Sequence, residues 1–299
     1  MGWLSAHLHF IGAPYGADGD RVILQVVGPF VALGMREGWL GGYFFVRYTD
    51  GGPHIRLRFR GRTTGADEML RVALVEHTRS IAVFPLIRWN KYDPELDRYG
   101  GPEAIVVAER YFEASSRAAL GLLRPLDSSE RTARLGKALL AVLVLLHTFT
   151  RDVEHAAALA GKYRRANLYS FARAEHQDVK WLEAFDAGYD RQATTLPSFV
   201  AEAWQRLEDG QSLYAELDDY RRDLLPIRES LGRLCSEGCV RHNGRHVVDL
   251  ALACSLIIPS YIHMTNNRLG ITIREEAYLS HLVERVLRGL GRPARTVIA

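Results

Sequence analysis

The amino-acid sequence predicts an α+β fold: a ferredoxin-like β-α-β-β-α-β unit over residues 1–90, with a mainly helical part over 91–299 packed on it. Three observations support this. Stretches at 3–12, 42–49, 54–60 and 80–89 have the composition or two-residue alternation of strands. Two stretches of helical periodicity fall between the first and second and between the third and fourth of them. After Trp89 the periodicity of almost everything is helical.

Taken in order, Trp3 to Gly12 alternates and reads as a strand, and Gly12 to Gly19 is a loop containing Pro14. Asp20 is placed to cap a helix whose wide apolar face carries Val22, Ile23, Val26, Val27, Phe30, Val31 and Leu33 and which ends near Gly38. The runs 42–49 and 54–60 pair across an Asp/Gly-rich turn. A second helix opens at 63–68 and turns Leu70, Val72, Leu74 and Val75 inward, before the last strand at 80–89. Residues 90–102 form an irregular connection broken by Pro94, Gly100, Gly101 and Pro102. Helices are then expected from Pro102 to Leu123 and from a capping box at 127–130 to Thr150. Others follow at 152–174, 178–187, 196–208, 211–235, 245–265 and 273–290. No flexible linker marks the change near residue 91, so 1–299 is read as a single domain.

The composition narrows the function classes. A chain of 299 residues with 47% hydrophobic and 24% charged content is a globular protein with a sizeable core. A net charge of +3, from 38 basic and 35 acidic residues, gives nucleic-acid binding no special support. Cys235, Cys239 and Cys254 are too few to staple a secreted fold of this size, and reduced thiols suit the cytoplasm. Cys235 and Cys239 with His242 and His246 nearby suggest zinc, but the spacing is a poor match, and Cys254 lies in an apolar run. No metal or cofactor is expected. The N-terminus does not read as a signal peptide, and the longest apolar run, Ala138 to Leu146, is too short to span a bilayer.

The chemistry concentrates at Pro53-His54-Ile55-Arg56-Leu57-Arg58-Phe59-Arg60. Strand alternation puts Ile55, Leu57 and Phe59 on one face and His54, Arg56, Arg58 and Arg60 on the other. Three guanidiniums and an imidazole on one face need screening, either by water on a solvated surface or by an anion in a pocket. Three further pieces join them: Glu95 and Arg98 in Glu95-Leu96-Asp97-Arg98-Tyr99-Gly100-Gly101, then His263, then Asn267-Arg268. A helix continuing past 265 would put His263 and Asn267 on one face.

These motifs, with Phe44-Phe45-Val46-Arg47-Tyr48 and Ile262-His263-Met264-Thr265-Asn266-Asn267-Arg268-Leu269, occur in the same order in one family. The chain resembles the glutamate-elimination domain of class I lantibiotic dehydratases, also described as the thiopeptide-type bacteriocin biosynthesis domain. The likeness runs from Trp3 to the terminal helix, and 103–240 carries no motif that adds to it. It is similar to the stand-alone half of a split dehydratase.

The resemblance implies a lyase. A separate glutamyl-tRNA-dependent enzyme esterifies Ser or Thr of a precursor peptide, and this domain removes the α-proton and expels glutamate, leaving dehydroalanine or dehydrobutyrine. It implies His263, Arg56, Arg58 and Arg98 as catalytic residues, with Glu95, His54, Asn267 and Arg268 binding substrate. It also implies assembly with the glutamylating partner and leaves a homodimer open. These residue types suit the task. Arginine matches a carboxylate with a rigid two-pronged donor, a fixed cation stabilises an enolate, and histidine titrates near neutrality.

Two other readings compete. Thiopeptide pyridine synthases share the fold and join two dehydroalanines by a formal [4+2] cycloaddition with leader release, but they have no glutamate to bind. A non-catalytic peptide-binding partner is the other. An RNA-binding sheet using Tyr43, Phe45 and Trp89 is disfavoured, because the aromatic spacing matches no recognition motif.

Overall fold

The computed structural model describes residues 2–79, 81, 85–126, 130–172 and 178–291. It is an α+β protein with a small antiparallel sheet at the N-terminus and a helical remainder. Strands β1 (Leu4–His9), β2 (Leu40–Tyr48), β3 (His54–Gly61) and β4 (Leu86–Asn90) lie in the order β2-β3-β1-β4, each antiparallel to its neighbour. The last strand starts later than the sequence suggests, and residues 80 and 82–84 lie outside the described residues.

Between β1 and β2 the chain is helical from α1 (Ala17–Val22) through a π turn (Ile23–Val27) into α2 (Gly28–Arg36). Helix α3 (Asp67–Arg79) joins β3 to β4. Alternation explains how they pack. Ile55, Leu57 and Phe59 are fully buried on the face covered by these helices, where the Phe30 and Phe59 rings meet edge to face at 5.4 Å. Leu33 and Val72, expected inside, are exposed at the margins of their helices.

Asp20 does not cap a helix. It lies within α1, where its carboxylate accepts from Arg47 of β2 at 2.7 Å and from Arg134. Burial works against its charge, but the hydrogen bonds and charges of Arg134 and Arg47 outweigh it and hold the carboxyl below its usual value.

The helical part comprises α4 (Ala104–Leu123), α5 (Arg131–Thr150), α6 (Val153–Phe171), α7 (Asp178–Asp190), α8 (Leu196–Glu208), α9 (Ala215–Ser236), α10 (Leu250–Arg268) and α11 (Ile273–Leu290). Residues 127–129 of the expected capping box lie outside the described residues. Helix α10 begins after a short hairpin, β5 (Arg241–His242) and β6 (Arg245–His246), which takes the place of the first turns expected there. Its turn is Asn243-Gly244 with both φ positive, a hairpin signature present in the sequence. Helix α5 has the length and apolarity to cross a membrane, unlike the shorter run counted from the sequence, but most of that stretch is buried inside the protein. One hydrophobic core includes residues from Leu4 to Leu287, drawing on both the sheet and the helices.

Candidate functional site

The face of the sheet away from α1–α3 is half covered. Helices α4 and α10 pack over β2, with the Phe44 and Phe112 rings 5.3 Å apart, and leave a cavity of about 320 Å³ over β3. That volume lies at the lower end of the range for small-ligand sites. Its floor is Arg56 and Arg58 beside Val46 and Tyr48, its wall is His263, Met264 and Asn267 of α10, and its rim is the connection from Tyr92 to Tyr99. Pieces of chain spread over more than two hundred residues of sequence meet here.

Each side chain is positioned for a reason legible in the local structure. Arg56 and Arg58 stand on one face because β3 alternates, opposite Val46 and Phe44 of β2 in register. The Arg56 guanidinium lies 3.3 Å over the Tyr48 ring, and its Nε donates to His54 Nε2 at 3.1 Å. Arg58 sits between Phe44 and Tyr92, its Nε buried with no hydrogen-bond partner. Burial, together with the nearby charge of Arg56, lowers its pKa to about 10. Among the described residues neither arginine forms an ion pair.

Arg98 is held at the rim by a short 3-10 turn, Leu96–Tyr99. Its Nη1 donates to Glu95 at 3.1 Å and its Nε to Ser260 of α10 at 3.0 Å. The turn closes on Gly100 and Gly101, whose φ values are 92° and 97°. A Cβ on Gly100 would come within 3.0 Å of Ala104 and 3.1 Å of Ile257, so the glycine pair lets the rim settle against α4 and α10. Helix α10 runs unbroken to Arg268, and both His263 and Asn267 face the cavity.

Two of the expected substrate contacts, His54 and Arg268, lie off the cavity, and a third, Asn267, borders it with its amide already engaged. His54 is buried beneath the site and does not line the cavity. Its Nδ1 donates to the Gly52 carbonyl at 2.7 Å, which leaves Nε2 free to accept from Arg56. The His7 and His9 rings stack on it at 4.9 and 4.5 Å, and burial lowers the pKa of all three, that of His7 to about 3.

Asn267 borders the cavity, but its amide is occupied by the free edge of β2. It accepts from the Arg47 N–H at 2.8 Å and donates to the Arg47 carbonyl at 3.0 Å, as a neighbouring strand would. Arg268 is fully buried, its Nε on Ser116 Oγ and its Nη1 on the Met264 carbonyl. Five residues along a helix is a rotation of roughly 140° from His263, which carries it off the cavity face.

One residue of the site escaped the sequence. Glu276, in the first turn of α11, is 1% exposed, and its two carboxylate oxygens lie 3.1 and 3.2 Å from His263 Nδ1. Tyr163 of α6 donates to the same carboxylate. Burial pushes the Glu276 carboxyl up, against the opposing pull of His263 and of the Tyr163 hydrogen bond. The sequence signal was slight: the capping box Thr272-x-x-Glu275 fixes where α11 begins, but nothing local marks the next residue.

A larger cleft of about 950 Å³ lies between α2, α4 and α9, but charged residues along it pair with each other, Arg117 with Asp223 and Arg222 with Asp219. The cysteine and histidine cluster is equally quiet. Burial raises the thiols of Cys235 and Cys254 to about 11 and about 12, and no group of three described residues is arranged to hold a metal.

Comparison with known proteins gives this geometry a context. Residues 3–287 match the family model described as lantibiotic biosynthesis dehydratase C-term. Over 83 residues the chain is 32% identical to nisin biosynthesis protein NisB of Lactococcus lactis subsp. lactis, covering 28% of this chain and 8% of that protein. Among solved structures it resembles TbtD, a pyridine synthase from thiomuracin biosynthesis, with a TM-score of 0.73 and 17% identity over 97% of this chain and 99% of that one. TsrL gives 0.69 and 15% over 96% and 94%. The tRNA-dependent lantibiotic dehydratase MibB of Microbispora sp. 107891 gives 0.60 and 22%, over 97% of this chain but 28% of that one. The chain thus spans a minor part of NisB and of MibB, and at these identities the structural likenesses speak for fold alone.

Proposed function

We propose, from the premise that this chain belongs to the lantibiotic dehydratase C-terminal family, that it eliminates glutamate from glutamylated Ser or Thr of a ribosomal precursor peptide. The observation that carries this reading is that Arg56 and Arg58, cations on β3 without an ion-pair partner among the described residues, share a cavity of about 320 Å³ with His263. An ester-linked glutamate offers such a site a free carboxylate, an ammonium and a leaving carboxylate.

In this reading His263 takes the α-proton of the esterified residue through Nε2. The Cα–Cβ double bond forms, the Cβ–O bond breaks, and its electron pair leaves with the glutamate carboxylate. Arg56 and Arg98 hold the glutamyl carboxylates, and Arg58, dry and fixed, shares that task or stabilises the enolate. Glu95 pairs with the glutamyl ammonium or steadies Arg98. The β2-β3-β1-β4 sheet with its helices is then a ferredoxin-like floor, the helical part its wall, and the whole chain one elimination unit. Its partners are the precursor peptide and a separate glutamylating enzyme, in the cytoplasm. Neither a metal nor a cofactor takes part in this scheme.

Glutamylated peptide mixed with purified protein tests the assignment. Release of free glutamate with a dehydrated peptide is expected. With Arg56→Ala or His263→Ala the glutamylated peptide should accumulate, and full dehydration by either variant would sink the proposal. The second reading, pyridine synthesis, starts from a fold shared with TbtD over nearly the whole of both chains. It would show instead as a pyridine product with released leader from a peptide already carrying dehydroalanines.

A further inference from the structure

We infer that Glu276 is a positioning residue that fixes the ring of His263 and sets which of its nitrogens carries the proton. The inference deepens the elimination reading and rests on His263 being its proton-transfer group. An ionised carboxylate only accepts hydrogen bonds, so contact with His263 Nδ1 through both oxygens places the imidazole proton on Nδ1. Nε2 is then the bare nitrogen, on a ring that lines the cavity. Once Nε2 has taken a proton, Glu276 holds the counter-charge to the imidazolium.

The surroundings leave the carboxylate little else to do. Tyr163 from α6 donates to it, and the phenol is pushed well above its usual value by burial and by the Glu276 charge, so it remains a donor through the neutral range. Tyr15, in the loop after β1, is raised in part by the same charge, and Arg98 at the rim bears on Tyr163 only through space. Among the described residues no Lys or Arg pairs with Glu276, and its ion-pair partner is His263. A buried carboxylate bonded to a single imidazole fixes that ring's tautomer and orientation. Placement in the first turn of α11 adds the favourable end of the helix dipole.

Substitution Glu276→Gln tests this, since the amide oxygen can still accept from Nδ1 while the charge is lost. Nitrogen NMR of the labelled full chain, with the His263 signals assigned by difference against His263→Asn, reports the tautomer without reference to any reaction. The wild type should carry its proton on Nδ1. In Glu276→Gln, whose amide can donate as well as accept, the Nε2–H tautomer should gain population. In glutamylated-peptide turnover the variant should lose roughly 10- to 100-fold in kcat with KM little changed. Glu276→Asp should restore part of both. A wild-type proton on Nε2, which needs no variant to fold, would overturn the inference, as would an unchanged tautomer in Glu276→Gln. A tautomer that changes in Glu276→Gln, in a protein that releases no glutamate, would keep the pairing and overturn only the elimination reading.

Discussion

Arg47 and Arg56 are nine residues apart on adjacent strands of one sheet, and the protein treats them in opposite ways. Arg47 is fully buried on the helix-covered side, and its donors go to Asp20, the Pro14 carbonyl at 2.7 Å and the Arg268 carbonyl at 3.1 Å. Arg56 and its neighbour Arg58 lie on the other side with aromatic rings around them and, among the described residues, no ion-paired carboxylate. A buried charge with every donor engaged is architecture. A half-buried charge with donors to spare carries its desolvation cost without a carboxylate to offset it.

The comparison can be broken most sharply at Asp20. Removing that carboxylate by Asp20→Ala leaves Arg47 and Arg134 facing each other without compensation. A loss of about 3–5 kcal/mol in urea unfolding is expected. A change below ~1 kcal/mol would mean that the pair is not what holds this corner together. Next is Asn267→Ala, which orphans the Arg47 N–H and carbonyl at the edge of β2 and should destabilise by about 1–3 kcal/mol. On the other side of the sheet the sign reverses. Arg58→Met removes a poorly satisfied charge and should raise stability by about 1 kcal/mol while abolishing turnover. If Arg58→Met instead destabilises like Asp20→Ala, the two faces are not different in kind.

The last effect is set by pH. Burial and the nearby charges of Arg56, His54, Arg58 and His9 depress the His7 pKa to about 3. The unfolded chain therefore binds more protons than the folded one between about pH 6.5 and 3. Stability from this group is complete above about pH 6.5 and is lost as pH falls toward 3. Thermal melts of His7→Gln should show a shallower decline over that interval than the wild type, and parallel curves would remove His7 from the account.

These contrasts also explain what the sequence could and could not say. Two-residue alternation was enough to place Ile55, Leu57 and Phe59 inside and Arg56 and Arg58 opposite them, because a strand face is a local property. The α10 spacing was enough to set His263 and Asn267 together for the same reason. Which arginines are paired is not local. Arg47 and Arg56 have similar neighbours in the chain, and only the fold brings Asp20 and Arg134 to the first and leaves the second open. The resemblance implied Asn267 and Arg268 as substrate ligands, and the fold gives the amide of one a strand edge to seal and buries the other behind Phe112. Glu276 looks like any acidic residue in a first helical turn until α6 and α10 close around it. The hairpin at 241–246 was a different kind of miss, since its Asn-Gly turn was there to be read.

The seal on β2 has a consequence for the order of events at the ribosome. The Asn267 amide that completes the strand edge lies 220 residues downstream of Arg47. At typical elongation rates that is roughly 10–45 s of synthesis during which an apolar edge strand waits unpaired. The edge of β2 is therefore open to strand-on-strand association throughout synthesis of the intervening residues, until the last turn of α10 has been made.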